Sequence, residues 1–405
     1  MLIARSDFPL LSKLIDGLPL VYFDNAATTH KPQVVIDAMS TFYSTHYAPT
    51  HRSMYTLAEN TTQAVEDVRQ EVAHFIGAHA DEIVFTKGTT EGINFVASTW
   101  ARTHIKAGDE ILLTELEHHA NLLPWQQCAR EQGAVLKYIP INEDGSLQIE
   151  LLPHLLTKRT KLVSVVHTSN ALGTVNDCSY IINAAHAVGA LVLIDAAQAA
   201  GYQGIQVYDL NCDFVVFSGH KMGGPTGIGI LYIKKSVQSQ VPPYQFGGGM
   251  VFEADYYQQA TWLPAPHCYE AGTLPLAEII GLGVAIEYIK ADVKSGALML
   301  HIAHLCQKAL EGLRNVPNIR LLGPLEQLHK KGHIISFIAE GYHAHDVGAY
   351  LDQHGIYVRT GHYCAQPLAK RLNIDGSIRI SFYGYNTLAE VDYFLKVITQ
   401  LMTSG

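Results

Sequence analysis

The sequence predicts an α/β protein: a large domain with a mostly parallel mixed sheet flanked by helices, followed by a smaller α+β C-terminal domain. Two observations carry that prediction. Between about residues 80 and 235, short β-branched runs alternate with stretches of helical spacing, the pattern of a parallel sheet covered on both faces. From about residue 277 the rhythm changes to two long helices, short strands and a final helix.

The strands are expected at 82–86, 110–115, 136–141, 161–168, 191–195 and 213–218. Helical spacing is read at 121–133 and 177–189 between them. The run 227–233 follows a glycine-rich turn and is expected as an antiparallel edge strand. Residues 241–276 are rich in Pro, Gly and aromatic side chains without periodicity, and read as long loops leaving the large domain. The resulting division is 1–20 as a segment packing with the small domain, 21–276 as the large domain and 277–405 as the small one.

Composition limits the functions open to the chain. Of its 405 residues, 48% are hydrophobic and 16% charged, ample for large cores and far from a disordered composition. The net charge of -9, with no block of Lys or Arg, argues against a nucleic-acid surface. No run of eighteen apolar residues occurs, so no membrane span is expected, and a cytoplasmic location follows. The six cysteines form no C-x-x-C pair and no zinc-ligand spacing; they read as free thiols, with no metal site. No G-x-G-x-x-G follows a strand, which removes a dinucleotide-binding reading.

Four features fall at predicted strand ends, where ligands collect in such sheets. KGTTEG (87–92) opens a helix, so Thr89 and Thr90 offer N–H groups and hydroxyls to an anion such as phosphate; an ordinary N-cap fits equally. ELEHHAN (115–121) holds adjacent histidines that suit general bases, metal ligands or a stacking surface. Asp195 ends the apolar strand 191–195, and a buried carboxylate there needs a partner; a protonated pyridine nitrogen is one, a helix N-cap another. Gln198 lies three residues on, within reach of a ring substituent. SGHKMGG (218–224) is the most specific: Lys221 is placed to form a Schiff base with an aldehyde cofactor, with Ser218 and His220 toward its phosphate.

Together these residues resemble the fold-type I pyridoxal-5′-phosphate (PLP) enzymes of the class V aminotransferase family. The chain is most similar to the group II cysteine desulfurases (SufS/CsdA type). The resemblance runs through VYFDNAATTHKP (21–32), HRSMYTL, KGTTEGIN, EHHANLLPW, HTSNALGT (167–174), DAAQAAG, SGHKMGGPTGIGILY, YEAGT (269–273), RTGHYCAQP (359–367) and RISFYGYNT (379–387). It implies PLP as cofactor, bonded by Lys221, with Asp195 on the pyridinium nitrogen, His118 stacked on the ring and Gln198 at the phenolic oxygen. It places Thr89, Thr90, Ser218 and His220 in the phosphate cup, completed by Thr273 of a neighbouring subunit in a homodimer. It gives Asn170 and Arg379 to the substrate carboxylate, with Arg359 in the motif of the persulfide-forming Cys364.

The activity so implied is conversion of L-cysteine to L-alanine, with a persulfide on Cys364 passed to a small acceptor protein of the SufE/CsdE kind. Arg359 and His362 stand near that thiol in sequence and suit a lowered pKa. The stretch before Cys364 is short, which implies a thiol held near the cofactor and slow turnover without an acceptor. Selenocysteine lyase or another class V PLP lyase is the enzymatic alternative, and a sulfur-relay scaffold without useful turnover the non-enzymatic one. The sequence departs from the family's usual pattern at Ser53, which follows Arg52, at Tyr55, at Gly223 and at Leu274-Pro275. These touch the entrance, the lysine loop and the dimer loop, and leave the cofactor and nucleophile positions intact.

Overall fold

A computed structural model describes residues 3–51 and 53–403. The strands that build the site are β1 (Val21–Tyr22), β2 (Ile83–Thr86), β3 (Glu110–Thr114), β4 (Val135–Ile139), β5 (Thr160–Val166), β6 (Leu191–Asp195), β7 (Phe214–Ser218) and β8 (Gly229–Ile233). The second sheet uses β9 (Ile319–Leu322), β10 (Ile334–Ala339), β12 (Arg359–Gly361) and β13 (Ser377–Ser381), while β11 (Ile356–Tyr357) stands apart. The principal helices are α1 (Gln33–Thr41), α2 (Thr56–Ile76), α3 (Thr89–Val96), α4 (Leu123–Gln132) and α5 (Cys178–Ala187). They are followed by α6 (Leu276–Lys294), α7 (Ala297–Arg314), α8 (Ala344–Asp352), α9 (Gln366–Arg371) and α10 (Leu388–Thr403).

The large sheet has seven strands in the order β2-β8-β7-β6-β5-β3-β4. All pairs are parallel except those of β8, which runs antiparallel to both β7 and β2. Residues of β2, β3, β7 and β8 are buried on both faces, which accounts for their unbroken apolar runs. The segment expected at the edge is therefore one place further in, because β2 closes the sheet outside it. Gly229 makes this closure possible: a Cβ there would stand 2.4 Å from the Cα of Gly88 and 2.6 Å from the carbonyl oxygen of Phe217.

The helices end as their sequences dictate. Asp177 caps α5 by accepting a hydrogen bond from the N–H of Tyr180, and Gly133 closes α4 in the left-handed conformation at φ 70°. Arg69 of α2 forms a bidentate, buried ion pair with Glu270, at 2.7 and 2.8 Å, and stacks on Phe85. Glu270 also accepts from the N–H of Phe85, so one carboxylate joins α2, β2 and the loop leading to Thr273.

The second sheet, β9-β10-β13-β12, is wholly antiparallel and is covered by α7, α8 and α10. Helix α6 packs chiefly on α1 and α2. The chain's beginning is fastened to its end: β1 pairs in parallel with β11, the N–H of Ser381 donates to Phe23, and Phe8 packs against Tyr385. Arg5 adds an ion pair to Glu390 at 2.7 Å. Among the described residues no helix is long and apolar enough to cross a membrane.

Candidate active site

Strands β6 and β7 are adjacent and parallel, so the residues after them share the carboxyl edge of the sheet. A cavity of about 230 Å³ opens there. Its wall carries Thr89, Thr90, His118, Asn170, Asp195, Gln198, Ser218, His220, Lys221, Arg359, Cys364 and Arg379. Every site residue predicted from the sequence is thus brought to one place except Thr273, which is exposed and off the cavity wall. Ser53 and Tyr55 are described and border no part of it, while Arg52 lies outside the described residues.

The anion end is built at α3. Gly88 takes φ 145° before the helix, and the hydroxyl of Ser218 accepts from the N–H of Thr89 at 2.9 Å and bonds its hydroxyl at 2.8 Å. The strand end and the helix start are thereby locked together, with the helix's positive end facing the cavity. His220 stands beside them, its Nδ1 3.2 Å from the hydroxyl of Thr28. Burial, then the charges of Lys221 and Lys31, push His220 down to about 4, so its ring is neutral.

At the cavity floor Asp195 is buried, and among the described residues its carboxylate receives one hydrogen bond, from the N–H of Ala197 at 2.9 Å. Burial raises its pKa, and Lys221 opposes that rise. The same burial holds Lys221 below the usual lysine range despite Asp195, with Arg379 lowering it further. His118 overlooks both; its Nδ1 accepts from the N–H of Ala120, and burial pushes it down to about 4. Gln198 donates to the carbonyl of Ala26 and leaves its Oε1 without a partner. Asn170 donates to the carbonyl of Tyr363 and leaves its Oδ1 without one. Buried acceptors in that state border a ligand or water.

Arg379 is held by its two terminal nitrogens, while its buried Nε has no partner among the described residues. It donates to the carbonyl of Asn170 at 2.8 Å and to Asp24 at 3.0 Å, and lies over the ring of Tyr363. Arg359 approaches the other oxygen of Asp24 at 3.7 Å, so its charge is turned toward that carboxylate. Cys364 is exposed, whereas Cys128, Cys178, Cys212 and Cys306 are buried and Cys268 is half-buried. Burial pushes Cys128 and Cys268 up to about 11 and Cys212 to about 12, which leaves them poor nucleophiles.

A lysine and a carboxylate at adjacent strand ends, a helix start locked to a strand end and one exposed cysteine among the described residues meet at this cavity. The profile of the aminotransferase class-V family matches residues 21–394. The chain belongs to that family. Within it, a cysteine desulfurase of Escherichia coli O7:K1 is 46% identical over 389 residues, covering 96% of this chain and 95% of the relative. The apo cysteine desulfurase of Thermococcus onnurineus NA1 superposes with a TM-score of 0.94 at 38% identity, covering 99% of this chain and 98% of that one. The cysteine desulfurase CsdA of Escherichia coli, in its S-sulfonic acid form, gives 0.90 at 36% identity with the same coverage.

Some participants of this class V site were not singled out from the sequence. Asp24 lies in VYFDNAATTHKP, yet its service to Arg379 spans 355 residues and has no local signal. Tyr363 sits beside Cys364 but reveals its packing on Arg379 only in three dimensions. Glu117 is buried behind the cavity, accepting from Thr114, Asn121 and the N–H of Val166. His51, Glu66 and His267 also come within 4.8 Å of one another, but Arg69 already holds the Glu66 carboxylate. At Gly223, φ is 81°, a conformation glycine enters without strain.

Proposed function

We propose that this protein is a PLP-dependent cysteine desulfurase that converts L-cysteine to L-alanine and gathers the sulfur on Cys364. The carrying observation is that one cavity holds Lys221, Asp195 and Cys364, the one exposed cysteine among the described residues. The residues fit the cofactor. The partnerless Oε1 of Gln198, the singly bonded buried carboxylate of Asp195 and the locked start of α3 each await a group of PLP's chemistry.

In this reading Lys221 bonds the cofactor covalently and Asp195 supports its ring nitrogen. His118 covers the ring face, Gln198 meets its phenolic oxygen, and Thr89, Thr90, Ser218 and His220 hold its phosphate. When bound, PLP supplies an electron sink for negative charge at the substrate's reacting carbons. Arg379, Asn170 and Arg359 take the substrate carboxylate, with Asp24 keeping Arg379 in register. Lys221, whose pKa is lowered by burial, moves the proton of the substrate's Cα.

The thiolate of Cys364 attacks the substrate sulfur: a sulfur–sulfur bond forms as the carbon–sulfur bond breaks. The electron pair of the broken bond passes to the three-carbon fragment, which takes up a proton and leaves as alanine. A thiolate of an acceptor, which we take to be a small protein of the SufE/CsdE kind in the cytoplasm, then attacks the outer sulfur, and the sulfur–sulfur bond breaks to return Cys364 as thiolate. Thr273, exposed in the single chain, fits the phosphate cup of a second copy, and the functional unit is a two-fold homodimer. For the domains we adopt 21–276 and 277–405, with 1–20 packed on the latter.

Alanine released from L-cysteine by the PLP-loaded protein, faster with a thiol acceptor present, is the expected result. No alanine from the loaded protein with either acceptor or reductant would overturn the proposal.

A further inference from the structure

Of the adjacent pair at 118 and 119, only His118 borders the cavity. The ring of His119 serves the loop of Cys364. Its backbone N–H donates to the carbonyl of Cys364 at 2.7 Å, and its Nε2 accepts from the N–H of Gln366 at 3.2 Å. The two contacts fall on the thiol-bearing residue and two positions beyond it. Gln366 begins α9, where an N–H has no partner within the helix, and Pro367 beside it has no N–H at all.

The loop needs such fastening. Tyr363 and Cys364 take φ 54° and 56°, two successive non-glycine residues in the left-handed region. That conformation persists only where its surroundings impose it. The carbonyl of Tyr363 is taken by the amide of Asn170 at 2.7 Å, and that of Cys364 by His119. To accept at Nε2 the imidazole must be neutral with its proton on Nδ1. Burial, then His362, lowers the pKa of His119 and favours that form.

We infer that His119 is a positioning residue that clasps the nucleophile loop to the turn carrying His118, so that one dipeptide sets both the cover of the cofactor site and the place of the Cys364 thiol. This rests on the persulfide role of Cys364 given above. The chemistry of the clasp is an acceptor atom at the Nε2 position, and no other property of histidine is required.

His119→Ala removes that acceptor and keeps the backbone N–H. In the PLP-loaded protein it should lower kcat for alanine release and speed amide exchange of residues 362–368, each on the order of tenfold, as loss of one hydrogen bond implies. KM and the visible spectrum of the bound cofactor should not move. His119→Gln, which can present a carbonyl oxygen near the same place, should recover both kcat and exchange. Wild-type kcat and exchange in His119→Ala would overturn the clasp, as would a Gln variant that recovers neither. If the wild-type protein itself released no alanine, the desulfurase reading would fall, while the exchange comparison would still report on the clasp.

Discussion

Asn121 donates its side-chain amide to the carboxylate of Glu117 at 2.6 Å, inside the protein and behind the active-site cavity. The other end of that amide is already committed: its Oδ1 accepts from the indole of Trp125 at 2.8 Å and from Ser164 at 2.6 Å. Glu117 in turn accepts from Thr114 and from the N–H of Val166, so each group has a fixed direction. Burial pushes Glu117 up to about 8 against the pull of these donors. Glu117→Gln sets one amide donor against another and should cost about 1–3 kcal/mol. The double variant Glu117→Gln/Asn121→Asp restores every donor–acceptor match and should recover most of the loss. Urea unfolding of the three proteins above pH 8, where Glu117 is a carboxylate, measures this; a double variant no better than the single one would refute the direction assigned.

Lys221→Ala should lose alanine release from cysteine while keeping the fold. Its cofactor, if retained, should be removable by dialysis, because no covalent bond remains. Activity near the wild-type rate would remove Lys221 from its role.

Cys364→Ser should still bind the cofactor but lose desulfuration of cysteine, and selenocysteine should remain a substrate. After treatment of the wild-type protein with cysteine, mass spectrometry should find one added sulfur atom on the peptide bearing Cys364. An adduct on Cys128 or Cys268 instead would place the nucleophile elsewhere.

Acid should act on the protein through His333. It is buried against Tyr202, its Nε2 has no partner among the described residues, and burial holds its pKa at about 3. The folded state refuses a proton that the unfolded chain accepts near pH 6.5, so this contribution is intact above that pH and is lost as pH falls below it. Between pH 7.5 and 5 the loss is about 2 kcal/mol for the single group. His333→Gln should therefore lose less stability than the wild type over that interval, as read from urea midpoints. Equal losses would show that His333 does not stay neutral.

The assembly can be checked by sedimentation. Met54, Tyr256 and Tyr257 are 96%, 100% and 96% exposed, and Phe246 and Phe252 are also bare, an unusual display for a lone soluble chain. We expect twice the chain mass in the active, PLP-loaded form. An active monomer would refute the composite site.

The large sheet was legible because its inner strands are buried on both faces and their apolar runs are continuous, as at 191–195. Helix ends were legible where a cap residue marks them, as at Asp177 and Gly133. The place of β8 was not, since strand order depends on pairing with β2, far earlier in the chain. Lys221 and Asp195 could be read from strand ends alone, but the roles of Thr273 and Cys364 rested on family resemblance. Asp24, Arg69 and Glu270 act across hundreds of residues, and nothing in their neighbours announces the partner. The attachment of β1 to β11 belongs with these.

That attachment has a consequence for how the protein is made. Val21 and Tyr22 wait for Ile356 and Tyr357, and Phe8 for Tyr385, so residues 8–22 lack these partners until 356–385 have been synthesised. The large sheet can assemble during synthesis, whereas the attachment of β1 awaits β11. A translation product stalled before residue 356 would therefore carry a well-formed centre with Val21 and Tyr22 unfastened, the kind of intermediate that chaperones retain.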